Sequence, residues 1–213
     1  SVIMASSETD VVNSAFIKIG EATITSLDDT RKQAQLAARQ YPLKRDELLR
    51  SFRWNFAVSR AQLAPEAEAP AFGFSHKFLQ PSDSLRVISL FDENQRARNL
   101  TAGDQTWKTE GRFILANAET LRIFYIRRVT NVLEFDALFT ETLSWSLAVD
   151  LAFALSSGQQ LVDSARRGFN LALRQARFSD AIEGTPEVLE ASEWLESRHQ
   201  GSGTRGPRVG PVN

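Results

Sequence analysis

The chain contains no cysteine and only two histidines, His76 and His199. The first absence excludes disulfides, thiolate metal sites and cysteine nucleophiles, and it suits a protein made in a reducing cytosol. The second leaves little material for imidazole chemistry. His76 falls in an expected strand and His199 in a polar tail, so neither has a cluster around it. There is no His-Glu-x-x-His pair, no phosphate-binding glycine-rich loop and no nucleophile elbow. Excess charge of either sign is also lacking. The formal net charge is −1, which gives no overall push toward nucleic acid or an anionic membrane. The start, Ser1-Val2-Ile3-Met4-Ala5, has no basic region and no long apolar core, so no signal peptide is expected. The longest apolar run, Leu143 to Leu155, is interrupted by Ser144, Ser146 and Asp150. A membrane span needs about 20 apolar residues, so this run is read as a buried helix, and no membrane partner is expected.

What is present is ordinary globular material: 213 residues, 42% hydrophobic and 24% charged. That length suits one large domain, or a domain with an insertion, and can bury a sizeable core without staples. A helix begins near Ser7, with Asp10 three residues on in a capping pattern. Val11, Val12, Ala15, Phe16 and Ile19 lie on one face of it, and Gly20 is a suitable stop. A second helix is expected after Ser26 or Asp28, with Ala34, Ala38, Tyr41, Leu48, Phe52 and Phe56 at helical spacing. Pro42 should kink or break it. Ala64 to Pro70 reads as a linker.

The period then changes. Phe74–Leu79, Arg86–Phe91, Thr106–Thr109, Arg112–Ala116 and Thr120–Arg127 read as short strands. Glu110-Gly111 is the expected hairpin turn, and 92–94 and 102–104 are further turns. Helices resume at Phe135. The first is apolar nearly all round and therefore central. The next places Leu161, Val162, Ala165, Phe169, Ala172, Leu173 and Ala176 on one face. Thr185-Pro186-Glu187 opens a short last helix through Trp194. The class is thus α+β: a discontinuous α-helical bundle, residues 8–62 with 134–196, an inserted antiparallel β-domain at 72–130, and a flexible C-terminal arm at 198–213.

Few residues suggest chemistry. Glu134 with Asp136, and Asp92 with Glu93, sit in expected turns, where a solvated role outweighs paired acid–base work. Asp150 stands among Leu147, Val149, Leu151 and Phe153, and a buried carboxylate needs a partner; an arginine from a neighbouring helix is expected. Trp54 and Phe56 read as core, with an intersubunit contact as the alternative. Arg166, Arg167, Arg174 and Arg177 form a solvated helix face, an intersubunit salt-bridge face or a DNA-facing one. Arg198, Arg205 and Arg208, with Val209, lie in a tail with no acid after Glu196, either a frayed end or an arm that orders on a partner. No catalytic, cofactor-binding or metal-ligating residues are expected.

The ordered set Lys18-Ile19-Gly20-Glu21, Ile24 to Asp28, Arg45 to Ala57 with Trp54 and Phe56, Pro70 to Phe74, and Leu79 to Val87 resembles the tail tubular protein family. These are the head-to-tail adaptors of short-tailed bacteriophages (podoviruses). The resemblance covers roughly the first 90 residues by motif and the rest by layout. It implies a structural virion protein of the tail neck, assembled in the bacterial cytoplasm and not an enzyme. Such a protein would form a homo-oligomeric ring, dodecameric like the portal above it, join that portal protein to the tail nozzle protein, and let viral DNA through without specific binding. It also implies that the C-terminal arm docks on the portal. The alternative function is a virion-associated polysaccharide or peptidoglycan hydrolase, marked by two carboxylates about 5–9 Å apart in a cleft; a nucleic-acid-binding module is a third option that the net charge disfavours.

Overall fold

A computed structural model of the protein describes residues 7–91, 107–155 and 158–183. Among these are four α-helices and two small antiparallel sheets, an α+β fold in which helices flank an inserted β region. The expected turns at 92–94 and 102–104, the last helix after Thr185 and the arm at 198–213 lie outside the described residues.

The first helix, α1, spans Glu8–Lys18. Ser7 caps it, its Oγ accepting from the Asp10 amide at 3.2 Å. Gly20, with φ +73°, ends it. The Glu21 amide donates to the Phe16 carbonyl and the Gly20 amide to the Ile17 carbonyl, the paired bonds of a Schellman stop. The second helix, α2, spans Lys32–Ser51 and starts later than the sequence suggests. Ser26 and Asp29 spend their side chains on nearby backbone instead: Ser26 Oγ accepts from the Asp28 amide and Asp29 Oδ1 from the Arg31 amide. These local turns compete with helix. Of the kink or break expected at Pro42, the break is absent: the helix continues through it. Buried Ala34, Ala37 and Tyr41 anchor the turns before it, and Leu48 and Leu49 those after it. Tertiary packing on both sides holds a helix that local propensity would interrupt.

A 3₁₀ turn at Asn55–Ala57 leads into β1, Val58–Leu63. This strand corrects the sequence reading, which gave the segment to the helical bundle and began the β region at residue 72. Five more strands follow: β2 (His76–Leu79), β3 (Ser84–Leu90), β4 (Trp107–Glu110), β5 (Phe113–Ala116) and β6 (Leu121–Arg127). One sheet has the order β1-β6-β3 and the other β2-β5-β4. The hairpin between β4 and β5 turns on Gly111-Arg112, flanked by the paired residues Glu110 and Phe113. Gly111 adopts φ +57°, where a side chain would be strained.

Strand β6 organises the molecule because successive side chains point to opposite faces. Leu121, Ile123 and Tyr125 pack with Phe78, Ile114 and Ala116 of the other sheet. Ile126 faces the other way, into the helical core. The first sheet therefore lies between the second sheet and the bundle.

The remaining helices are α3 (Ala137–Ala154) and α4 (Gln159–Glu183). Asp136 caps α3, accepting from the amides of Leu138 at 2.8 Å and Phe139 at 3.2 Å. Phe139, Leu143, Leu147 and Leu151 are fully buried, in line with the expected central helix. Phe139 meets Trp54, Phe56 and Phe135 at ring-centroid distances of 5.0, 5.0 and 4.9 Å, all edge-on. Phe169 packs against the same core from α4. At the seam between α3 and α4, Gly168 lets the backbone approach Trp145 so closely that a Cβ there would lie 2.6 Å from the indole. The same indole donates to Glu141 at 2.8 Å and carries the Lys18 ammonium 5.1 Å from its ring centroid. Lys18 also pairs with Glu141 at 3.0 Å, so α1, α3 and α4 meet at one tryptophan.

Candidate interaction surface

The residues singled out by sequence separate into core, pairs and surface. Trp54 is core: it is only 3% exposed, and its Nε1–H donates to the Leu48 carbonyl at 2.8 Å. That bond satisfies a carbonyl in the last turn of α2, which the helix itself leaves open. Burial by its own chain leaves Trp54 no face for a neighbouring subunit, so the intersubunit alternative is dropped. The acids of the expected turns have structural duties. Glu134 pairs with Arg127, and Asp136 caps α3. Asp92, Glu93 and His199 lie outside the described residues. His76 stands in β2 with its Nδ1 beside the Ser75 hydroxyl at 3.0 Å.

Asp150 does pair across helices, but with a lysine and not an arginine. Lys44 Nζ, from α2, lies 3.1 Å from Asp150 and 3.0 Å from Glu47. The site is half-buried, which is why a flexible ammonium serves. Burial alone would lower the Lys44 pKa, but hydrogen bonds and charge from Glu47 and Asp150 outweigh it and raise the value above the ordinary lysine range. Beside this pair is a cleft of about 280 Å³, where Phe153 and Ala154 of α3 meet Gln40 of α2 and Val162 and Arg166 of α4. Phe153 is 79% exposed.

The four arginines of α4 share a helix but not one environment. Its inner face buries Val162, Ala165, Ala172 and Ala176. Arg177 lies over the Phe52 ring at 5.1 Å, and the Arg174 Nε–H donates to the Asn170 carbonyl. Arg166 lines the cleft, and Arg167 is exposed. Between them are two residues that the sequence reading missed, Leu171 and Phe178, 51% and 71% exposed. Arg167, Leu171, Arg174 and Phe178 follow the spacing i, i+4, i+7, i+11 and so form one outward stripe, alternately basic and apolar. The signal was available in the periodicity: both apolar residues fall off the stripe that α4 buries. The arm residues Arg198, Arg205, Arg208 and Val209 are outside the described residues.

Among the described residues, no group of three or more His, Asp or Glu is placed to hold a metal ion, and no helix is long and apolar enough to cross a membrane. No protein-family model matches the chain, and no curated protein matches it.

Proposed function

We propose that this chain is a structural virion protein, a ring-forming adaptor between the portal and the tail nozzle of a short-tailed phage. Two lines support the reading. One is the resemblance carried by residues 18–28, 45–57 and 70–87. The other, and the observation that bears most weight, is the α4 stripe of Arg167, Leu171, Arg174 and Phe178. A helix that already buries one face and presents a second apolar-and-arginine face has the composition of an interface core, in which aromatics and arginine are enriched and lysine is depleted. A ring needs heterologous contacts, so this stripe would meet a different surface of the next copy. In this reading the segment 198–213 docks on the portal, and DNA passes without specific recognition, in keeping with a net charge near zero.

The test is assembly. The full chain, mixed with cognate portal rings, should form a complex whose mass corresponds to one copy per portal subunit. Leu171→Asp with Phe178→Asp should abolish the ring while leaving the melting temperature unchanged, and deletion of 199–213 should weaken docking. A chain that stays monomeric and ignores the portal would overturn the proposal. So would glycan turnover lost on changing one Asp or Glu without unfolding, which would favour the hydrolase.

A further inference from the structure

A second cleft, of about 270 Å³, opens between the end of α2 and the two sheets. Three arginines from separate elements line it: Arg50 from the last turn of α2, Arg86 from β3 and Arg112 from the β4–β5 turn. The hydroxyl residues Ser82, Ser84 and Thr109 line it as well, and no acidic residue is among its described lining. The acidic residues that neighbour this lining in sequence each have a partner. Glu47 pairs with Lys44, Glu110 with Lys108, and Asp83 accepts from the Tyr125 hydroxyl.

Arg50 and Arg112 are exposed at the rim and Arg86 is partly buried between the sheets and α2, where it feels the like charge of Arg50. Part of the arrangement has a plain structural account. The Arg50 guanidinium donates to the Leu85 carbonyl, tying α2 to β3. The Arg86 guanidinium has none: its Nε is buried and has no hydrogen-bond partner. Burial, and then the charge of Arg50, hold its pKa below the ordinary arginine range, although an arginine so shifted keeps its proton at neutral pH. Buried donors without partners are rare in folded proteins, and this one, unlike the Tyr41 hydroxyl inside the apolar core, belongs to a charged group lining an open cleft. The recess is also braced. The Gln80 amide donates to the Arg112 carbonyl at 2.9 Å, and the Gln80 side chain reaches the Gly111 carbonyl at 3.4 Å, fixing the turn that carries Arg112.

We propose that this cleft is a binding site for a single phosphoryl group, held by Arg50, Arg86 and Arg112. Charge favours phosphate over carboxylate, since three guanidiniums are better matched by a dianion. Donor placement favours it too: the arginines come from three elements, and the Ser82 and Thr109 hydroxyls line the same cleft, which suits a tetrahedral anion, while that of Ser84 donates to Gln80. The recess is too small for a nucleic-acid duplex, so the ligand is free phosphate or the terminal phosphate of a small monoester. The site is formed within one chain and does not depend on the ring.

The experiment uses the full chain in calorimetric titration and thermal melts, with inorganic phosphate, a nucleoside monophosphate and acetate at matched ionic strength. Phosphate or the monoester should bind and raise the melting temperature, and acetate should not. Arg112→Ala, at an exposed turn, and Arg86→Met, which keeps the stem, should each weaken binding by about tenfold or more. Arg60→Ala removes the same charge outside the cleft and should leave binding intact. Tighter binding of phosphate identifies the free anion, and tighter binding of the monoester identifies an ester; either supports the site. Equal protection by acetate, full affinity in Arg112→Ala, or equal loss in Arg60→Ala would overturn it. If Arg86→Met fails to fold, Arg112→Ala alone decides.

Discussion

The helical bundle and the β region are stabilised in different ways. The bundle core is one continuous apolar cluster from Val11 on α1 to Ala176 on α4, and its buried hydroxyl groups are satisfied by backbone carbonyls except that of Tyr41. Thr142 donates to the Leu138 carbonyl, and Ser144 to the carbonyls of Thr140 and Val11. Between the two sheets lies a much smaller cluster built on Phe78, Ile114 and Ile123. Around it the sheets rely on surface contacts, such as Arg60 over the Phe124 ring at 4.8 Å and Lys77 over Phe113 at 5.4 Å. They also tolerate the unpartnered Nε of Arg86 at the second cleft. The contrast assigns stability to the bundle and leaves the sheets free to present side chains, with the first sheet joined to the bundle through Val58, Leu85, Ile88 and Ile126.

The largest expected effect would break this comparison if it failed. Leu147→Ala or Leu151→Ala, both at 0% exposure on the central helix, should cost about 2–5 kcal/mol in denaturant unfolding. The loss should appear equally in probes of the helices and of the sheets, because β6 and β3 lean on that core. A loss near zero for both would remove the bundle from its dominant role.

Next in size is the α3–α4 seam. Gly168→Ala gains helix propensity of up to about 1 kcal/mol, but its Cβ would meet the Trp145 ring at 2.6 Å. That ring is held by Glu141 and Lys18 and is not a free flexible end. Overpacking of this kind costs about 1–3 kcal/mol, so the net should be destabilising. A melting temperature that rises would show that the indole moves aside.

A gain comes third. The Tyr41 hydroxyl is buried with no hydrogen-bond partner, and burial, followed by the charge of Glu8, pushes its pKa well above the ordinary value. Tyr41→Phe removes an unsatisfied polar atom and keeps the ring, so it should stabilise by about 1 kcal/mol. A measured loss instead would mean that the hydroxyl has a partner in solution.

Much of this architecture could be read from the sequence, and the failures have identifiable causes. α1 and α4 show clear helical periods, α3 is legible as a helix apolar nearly all round, and β2 to β6 fall close to their expected positions. β1 escapes the sequence reading although Arg60-Ala61-Gln62-Leu63 alternates exposed and half-buried residues, because the run is short and follows directly on Phe52 and Phe56, which continue the helical spacing of α2. The pairing of Asp150 was foreseen, but its partner's identity depended on how α2 crosses α3. The stripe on α4 was half legible: the arginines stood out, and Leu171 and Phe178 were hidden among other apolar residues of the same helix. The cleft of Arg50, Arg86 and Arg112 had no signal at all, because its parts are separated by dozens of residues and only folding brings them together.

The smallest expected effect sharpens the comparison at the surface. Asp29, beside Arg31 in the loop before α2, and Glu68, beside Lys77 of β2, are held below their ordinary carboxylate pKa values. In each case the side-chain hydrogen bond to the basic partner is the largest cause. A depressed folded-state pKa means that the unfolded chain takes up the proton first as acid is added. The stabilisation is therefore complete above the unfolded values, 3.8 for Asp29 and 4.5 for Glu68, and is lost as pH falls through the lower folded values. Glu68 is exposed and Asp29 lies partly exposed in a surface loop, and salt screens such pairs strongly. Melts between neutral pH and the acid range should thus show only a slight decline attributable to them. Asp29→Asn and Glu68→Gln should each flatten part of that decline, and high salt should erase the difference from the parent. An acid transition of several degrees, removed by either substitution and insensitive to salt, would show that a surface pair carries stability assigned here to the buried bundle.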